Sequence, residues 1–328
     1  MFLSLRGGGR PMPALGFGCW KLGSGSSTLV YDAIKAGFRT IDSASDYGNE
    51  KAVGEGIARA IAEGIVKRED IFVTSKLWCT DHDPIHVEPA LRRTLADLGL
   101  AYVDLYLIHF PIPLKHVPAE TRYPAGWIHD PASPTMVFSG VPLSSTWSAM
   151  SACVDKELAL HIGVCNMTTG LLRDLSASAA AAGARPIEVL QVELHPYLAQ
   201  TNLLRYAKNA GIAVTAFSPL GAPSYVELGM ATSADSALQE AVVARIAARV
   251  GATPGQVLIA WALHRGTAPI PKSSSAERIV ENFGALAVVG KLTGEDVAEI
   301  TALDKHRRFN DPGVFCEKAF NTFCPIYD

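Results

Sequence analysis

The sequence predicts an α/β fold of the (β/α)8 barrel class, formed by a single domain over residues 1–328. From about residue 14 onward, short apolar runs alternate with amphipathic segments of helical period, a pattern typical of βα units and a parallel sheet. Eight such units are present, whereas a doubly wound sheet usually has fewer strands and a glycine-rich phosphate loop after the first. The segment Gly16–Trp20 at the first predicted strand lacks the spacing of that loop, which favours the barrel.

The predicted elements follow this alternation in order. The strands are Leu15–Gly18, Thr40–Asp42, Ile71–Lys76, Leu105–His109, Ile162–Val164, Val189–Glu193, Ala213–Phe217 and Ala268–Ile270. The helices are Thr28–Ala36, Glu50–Glu63, Val87–Leu98, Ser144–Glu157, Thr169–Ala181, Thr201–Asn209, Leu238–Val250, Pro254–His264 and Ala276–Ala285. Gly7–Gly9 lies between two apolar stretches and is predicted to be the tip of an N-terminal β-hairpin under the barrel. We also expect extra helices and a C-terminal tail that reaches the substrate loops.

Composition argues against several kinds of partner. The formal net charge is -3, and the Lys and Arg residues are spread along the chain without a long basic run, so no basic patch for nucleic acid is expected. The longest apolar stretch, Val257–Leu263, is too short to span a bilayer, and the first residues lack the apolar core of a signal peptide. We expect a soluble, cytoplasmic monomer or homodimer with no nucleic-acid or membrane partner.

The six cysteines show neither C-x-x-C pairs nor zinc-ligand spacing, so we predict reduced thiols and no metal site. They are Cys19, Cys79, Cys153, Cys165, Cys316 and Cys324. Cys19 and Cys79 each adjoin a tryptophan in a predicted strand-end loop. We interpret both as small buried side chains that fill space in the apolar core. The alternative is that one of them is a reactive thiol near a functional site.

Polar residues close three of the predicted strands. Asp42, Lys76 and His109 are the last residues of their strands, and Tyr47 lies in the loop that follows Asp42. Active sites of parallel barrels lie at the carboxyl ends of the strands. Taken singly, these residues could be a buried ion pair, a core histidine and a loop aromatic, but their occurrence together favours a catalytic site.

The four side chains suit the reduction of a carbonyl group. A tyrosine hydroxyl, with an unperturbed pKa of about 10, keeps its proton at neutral pH and can donate it to a developing alkoxide. We expect Lys76 to lower the pKa of Tyr47, Asp42 to pair with Lys76, and the ring N–H of His109 to hold the carbonyl oxygen. None of these groups can donate hydride, so a cofactor is required.

The segment Asp42–Glu50 strongly resembles the signature of the aldo-keto reductase superfamily. The resemblance covers nearly the whole chain and continues through Val73–Trp78, Asp104–His109, Gln191–Pro196, Phe217–Gly221 and Ile270–Ser273. It implies a (β/α)8 barrel that binds NADPH, with a catalytic tetrad in which Tyr47 is the general acid.

The resemblance also implies a set of cofactor-binding residues. Asn166 and Gln191 are expected to hold the nicotinamide carboxamide, with Phe217 stacked on the ring. The remaining predicted contacts are Ser218, Leu220, Glu227, Lys272, Ser273, Ser274, Arg278, Glu281 and Asn282. Among these, the residues from Lys272 to Arg278 resemble the family's pocket for the 2′-phosphate, which favours NADPH. Glu227 could instead accept hydrogen bonds from an unphosphorylated ribose, so NADH use remains open.

Two positions depart from the usual family pattern. Cys165 stands where members commonly carry serine, and Met167 stands where an aromatic residue is usual. Because a thiol is a weak hydrogen-bond donor, we expect a looser hold on the nicotinamide and slower turnover.

The predicted substrate loops resemble those of the xylose reductase and aldose reductase branch, in the stretches His109–Pro111, Tyr123–Trp127 and Arg308–Pro312. This implies reduction of an aldehyde or a xylose-like aldose to the alcohol or polyol. Asp46 and Asn310 would bond sugar hydroxyls. The apolar wall would consist of Trp20, Trp78 and Phe110.

Two alternatives to this function remain. One is an aldose-6-phosphate reductase, for which Lys115, His116 or Arg122 could reach a terminal phosphate, although no basic cluster is apparent in the tail. The other is a cofactor-sensing subunit that binds NADPH without turnover. The ending Phe320–Tyr327 matches neither reductase branch.

Overall fold

Eight parallel strands pair in chain order in the computed structural model, which describes residues 1–327. They follow a two-stranded hairpin formed by β1 (Phe2–Leu3) and β2 (Met12–Pro13). The barrel strands are β3 (Gly16–Gly18), β4 (Thr40–Asp42), β5 (Phe72–Leu77), β6 (Val103–Ile108), β7 (Ala159–Cys165), β8 (Val189–Glu193), β9 (Ala213–Phe217) and β10 (Ala268–Pro269). The predicted (β/α)8 barrel is confirmed.

The barrel closes between its first and last strands. The backbone N–H of Gly18 donates to the carbonyl oxygen of Pro271 at 3.1 Å. A Cβ atom on Gly18 would lie 2.9 Å from the carbonyl oxygen of Ile270, and one on Gly16 would lie 2.8 Å from the Ile270 side chain. Glycine is therefore needed at both positions for the two strands to approach.

Helices surround the strands. They are α1 (Ser26–Ala36), α2 (Glu50–Ala62), α3 (Pro84–Leu98), α4 (Leu143–Asp155), α5 (Thr169–Ala181), α6 (Thr201–Asn209), α7 (Ala241–Val250), α8 (Pro254–His264), α9 (Ala276–Phe283), α10 (Gly294–Thr301) and α11 (Pro312–Phe320). Within residues 1–327, no single helix has the length and apolar character to cross a membrane. Helices α7 and α8 reach that length and apolar character only when taken together, and the chain bends by 91° between them.

The hairpin covers one end of the barrel, as predicted. Leu5 and Met12 pack with Phe72, Leu105 and Val189 from the barrel strands, and all five are buried. The backbone N–H of Gly7 donates to the buried carboxylate of Glu188 at 3.0 Å, which ties the hairpin to β8.

Two of the differences from the predicted bounds have a clear local cause. Helix α3 begins at Pro84 rather than Val87, because the Asp83 carboxylate caps it by accepting the N–H of Ile85 at 3.2 Å. Helix α7 begins at Ala241, because residues 237–239 form a separate 3-10 turn. The extra helices α10 and α11 lie beyond the last barrel helix, where the prediction placed no specific bounds.

Candidate active site

A cleft of about 1280 Å³ opens at the carboxyl ends of the barrel strands. Asp42 ends β4, Lys76 is the penultimate residue of β5, and His109 directly follows β6. Because β4, β5 and β6 are adjacent in the sheet, these three residues meet at one edge of the barrel. Tyr47 reaches the same place from a 3-10 turn over Ser45–Tyr47.

The four side chains form a connected group around Lys76. Its Nζ atom donates to Asp42 Oδ1 at 2.5 Å, to the carbonyl oxygen of Ser43 at 2.7 Å and to Tyr47 Oη at 3.2 Å. Lys76 is fully buried. The ring of His109 lies edge-on to that of Tyr47, with centroids 5.7 Å apart. Tyr47 and His109 therefore lie together at the cleft, and the buried ammonium of Lys76 is bonded to the tyrosine hydroxyl from behind.

Burial dominates the protonation of this group. Burial raises the pKa of Tyr47, and this effect outweighs the opposite effect of Lys76. Lys76 does lower the pKa of Tyr47, as expected, but the sequence did not indicate the larger effect of burial, which makes the net pKa higher than the ordinary value. Burial opposes the charge of Lys76, but Asp42 overcomes it, and the net pKa is raised. Burial and Lys76 hold the pKa of His109 well below its usual value, so the imidazole is neutral at pH 7.

Two amide side chains adjoin the group. Asn166, whose backbone has a φ of 58° in the left-handed region, donates from Nδ2 to the carbonyl oxygen of His109 at 2.8 Å. Gln191 donates from Nε2 to Asp42 Oδ2 at 2.7 Å. Both amides are buried and line the cleft. Each retains an unused donor and acceptor site, the set that a second carboxamide group requires.

The basic segment beyond β10 lies at the other end of the cleft. Lys272, Ser273, Ser274 and Arg278 line it, at the start of α9. Burial, together with the neighbouring Lys21, lowers the pKa of Lys272. An anion placed among these cations would relieve that repulsion, so the residues fit the phosphate of a nicotinamide cofactor.

Three further predicted cofactor residues already have protein partners. Glu227 pairs with Lys21, and this hydrogen bond lowers the pKa of Glu227. Glu281 accepts from Thr253 Oγ1 at 2.6 Å. Ser218 Oγ lies 2.9 Å from Tyr225 Oη.

A group of aromatic rings lines another part of the cleft. The rings of Trp78 and Phe110 lie 6.1 Å apart, and Trp127 contacts both, at 4.8 Å and 5.1 Å between centroids. Trp20 also lines the cleft, with its ring centroid 6.0 Å from that of Tyr225. Asp46 is a further lining residue, and burial raises its pKa to about 7.

Asn310 is positioned by a buried acid on β8. The carboxylate of Glu193 accepts the backbone N–H groups of Phe309 and Asn310, each at 2.9 Å. His195 Nε2 lies 2.9 Å from the same carboxylate, and the side chains of Glu193 and His195 are fully buried. Charge-assisted bonds of this kind attach the tail to the barrel and bring Asn310 to the cleft.

The structure brings all predicted site residues together at this end of the barrel. Lys76 lies behind the cleft wall, and the others line it: Trp20, Asp42, Asp46, Tyr47, Trp78, His109, Phe110, Asn166, Gln191, Phe217, Ser218, Leu220, Glu227, Lys272, Ser273, Ser274, Arg278, Glu281, Asn282 and Asn310.

Several lining residues were missed by the sequence reasoning. They include Lys21, Tyr225, Arg307, Arg308, Phe315 and Lys318. Lys21 follows Trp20 directly beyond β3, a placement that could have indicated it. The cations of the tail correct our expectation that the tail lacks a basic cluster. Conversely, neither Lys115, His116 nor Arg122 is among the residues that line the cleft.

Comparison with known proteins agrees with this geometry. The sequence profile of the Aldo/keto reductase family matches residues 14–305. The chain belongs to the aldo/keto reductase family. It is 48% identical over 307 residues to the NAD(P)H-dependent D-xylose reductase of Candida tenuis, covering 93% of each chain. It is 46% identical over 307 residues to the NAD(P)H-dependent D-xylose reductase I,II of Candida tropicalis, again covering 93% of each.

A solved structure of the family has the same fold. The aldose reductase from Schistosoma japonicum superposes with a TM-score of 0.81 at 33% identity, covering 94% of this chain and 93% of that one. This chain is therefore an oxidoreductase of the aldo/keto reductase type.

The cysteines of this reductase are buried, and all six are free. Burial raises the pKa of Cys19 and of Cys79, so both thiols are protonated and unreactive, in agreement with the filler interpretation. Burial likewise raises the pKa of Cys165, beside Asn166. Met167 is fully buried in the main core, which explains an apolar side chain at that position.

Proposed function

We propose that this reductase uses NADPH to reduce the aldehyde group of a xylose-like aldose to a polyol. The observation that carries the proposal is the Tyr47 hydroxyl, which faces the cleft and lies 3.2 Å from the buried ammonium of Lys76. The curated relatives at 48% and 46% identity are named NAD(P)H-dependent D-xylose reductases, which supports the substrate class.

The proposed roles of the catalytic residues follow from their protonation. When bound, the nicotinamide supplies hydride to the carbonyl carbon. Tyr47, protonated because its pKa is raised, donates its proton to the carbonyl oxygen. Lys76 stabilises the phenolate that remains, and Asp42 keeps Lys76 charged. Neutral His109 has one ring N–H, which holds the carbonyl oxygen in place.

The cofactor is proposed to lie along the cleft. Asn166 and Gln191 would bond the carboxamide, and Phe217 would face the nicotinamide ring. Lys272 and Arg278 would hold the 2′-phosphate. Ser218, Leu220, Ser273, Ser274, Glu281 and Asn282 would complete the cofactor site, and Glu227, by accepting bonds from an unphosphorylated ribose, would allow NADH as a second cofactor.

The proposed sugar site combines polar and apolar groups. Asp46 and Asn310 would bond the hydroxyls, and directed polar contacts of this kind select a polyol chain. Trp20, Trp78 and Phe110 would exclude water from the reacting carbonyl.

The test is oxidation of NADPH by the purified chain with D-xylose, with an aldose 6-phosphate and with a simple aromatic aldehyde. We expect the highest kcat/KM with D-xylose. NADPH binding without turnover of any of the three would contradict the proposal and leave a cofactor-sensing protein.

The cations of the tail favour a second candidate, an aldose-6-phosphate reductase. Arg307, Arg308 and Lys318 all line the cleft. However, Arg307 lies 3.5 Å from Asp235, which partly satisfies its charge. A higher kcat/KM for the 6-phosphate in the same assay would move the assignment to this substrate.

Replacement of Arg278 by leucine is expected to raise the Kd for NADPH about tenfold or more and to leave the Kd for NADH nearly unchanged. A hydrogen bond to a charged group contributes about 1.5–3 kcal/mol, and only NADPH carries the 2′-phosphate. Fluorescence titration with both cofactors measures the difference. Arg173→Leu, on the exposed side of α5, is the matched control. Equal weakening of both cofactors would contradict the assignment.

The prediction of a single domain over residues 1–328 stays a prediction, as do the monomer or homodimer, the cytoplasmic location and the absence of nucleic-acid and membrane partners.

A further inference from the structure

The last part of the tail returns to the barrel after α11. The side chain of Cys324 is buried in the same apolar cluster as Trp78 and Phe110. Tyr327 then reaches the loop beyond β7, where its hydroxyl donates to Asn166 Oδ1 at 3.2 Å. The two residues are 161 positions apart in the sequence.

The ring of Tyr327 also packs against Arg308. The guanidinium carbon of Arg308 lies 3.5 Å from the ring centroid, within the range of a cation–π contact. Arg308 itself lines the cleft and immediately precedes Phe309 and Asn310, whose N–H groups bond to Glu193. Tyr327 therefore connects Arg308, next to the proposed sugar contact Asn310, with Asn166, a proposed contact of the nicotinamide carboxamide.

The hydrogen bonds of Asn166 give this contact a specific consequence. The amide donates one Nδ2 hydrogen to His109 and accepts one bond from Tyr327 on Oδ1. The His109 carbonyl decides which way the amide faces, because a flipped amide would place its oxygen against that carbonyl, and the Tyr327 hydroxyl then holds Oδ1 in this orientation. Asn166 keeps one free Nδ2 hydrogen and one free lone pair on Oδ1. The hydrogen can bond to the oxygen of the cofactor carboxamide, and the lone pair can accept from its NH2 group.

We propose that Tyr327 is a positioning residue for nicotinamide binding, which acts by holding the Asn166 amide in its carboxamide-binding orientation. This inference rests on the role of Asn166 in the proposed function. Burial raises the pKa of Tyr327, so its hydroxyl stays a donor across the ordinary pH range.

The test is equilibrium binding to the full chain, measured with NADPH and with 2′-phospho-ADP-ribose, a fragment that lacks nicotinamide. Tyr327→Phe keeps the ring over Arg308 and removes only the hydroxyl. We expect it to weaken NADPH binding about three- to tenfold, the effect of losing one neutral hydrogen bond, and to leave fragment binding unchanged. Tyr197→Phe, whose hydroxyl bonds to Glu240 outside the cleft, is the control for loss of a tyrosine hydroxyl.

A double-variant cycle separates positioning from general loosening of the tail. Asn166→Gly removes the amide and suits the positive φ at this position. In that background, Tyr327→Phe should have no further effect on NADPH binding. Three results would each overturn the inference. Tyr327→Phe could weaken the binding of NADPH and of the fragment equally, it could have the same effect in the Asn166→Gly background as in the wild type, or it could tighten NADPH binding. Tighter binding would instead make Tyr327 an inhibitory occupant.

Because these measurements need no substrate, they are independent of turnover. Nicotinamide-specific weakening in a protein that does not reduce D-xylose would support the role of Tyr327 and contradict the proposed substrate. Rapid reduction of D-xylose together with unchanged NADPH binding in Tyr327→Phe would contradict only the role of Tyr327.

Discussion

Tyr47→Phe is expected to lower kcat for D-xylose reduction by about 10²- to 10⁴-fold, the usual contribution of a positioned general acid. The substitution removes the only atom of Tyr47 that bonds to Lys76, while the ring can keep its contact with His109. No other proton donor of the tetrad can replace it, because His109 is neutral and Lys76 is committed to Asp42 and Ser43.

The measurement is steady-state NADPH oxidation combined with NADPH titration by fluorescence. The Kd for NADPH should change less than about threefold, since the loss concerns proton donation and the cofactor contacts remain. Tyr197→Phe, in which the lost hydroxyl bonds to Glu240 and does not line the cleft, should retain wild-type kcat. Retention of more than about a tenth of kcat in Tyr47→Phe would exclude Tyr47 as the general acid.

Lys76→Met is expected to impair folding as well as catalysis. The ammonium has no solvent exposure and is bonded to Asp42 at 2.5 Å. Its removal leaves the Asp42 carboxylate buried with Gln191 as its remaining side-chain partner. Loss of one partner of a buried pair costs about 3–5 kcal/mol, so the free energy of unfolding should fall by that amount. Urea unfolding at pH 7, followed by tryptophan fluorescence, measures the change.

The double variant Asp42→Asn/Lys76→Met is the informative control. It removes the unpaired charge, and the asparagine oxygen can still accept from Gln191. We expect it to regain at least half of the lost free energy of unfolding but none of the activity, because the phenolate of Tyr47 would still lack a cation. If the double variant is as unstable as Lys76→Met, the buried pair stabilises the fold through the packing of its side chains rather than through its charges.

Much of the barrel was predictable because its signals are local. Strand β4, strand β8 and helix α5 have the bounds predicted from hydrophobic period alone. The boundaries of α3 and α7 were missed, because a capping side chain and a 3-10 turn decided them. The bounds of α10 and α11 were not predicted, since both lie outside the repeating βα pattern.

For the candidate site, the residue types and their positions at strand ends were readable from the sequence, whereas their protonation was not. The sequence indicated that Lys76 would lower the pKa of Tyr47, but the larger effect of burial depends on how completely the surrounding elements exclude water. The basic run Lys305–Arg308 is visible in the sequence, but its place at the cleft is not, because that depends on how the tail folds back.

The sequence by itself determined the (β/α)8 class, the family and the residues offered for chemistry, because hydrophobic period and strand-end motifs are properties of short segments. Only the tertiary structure decided which distant groups meet. Glu193 bonds to Asn310, and Tyr327 bonds to Asn166, across more than a hundred positions in each case. Hydrogen bonds act over about 3 Å, so such pairs form only after the complete barrel has brought both strand ends and the tail together.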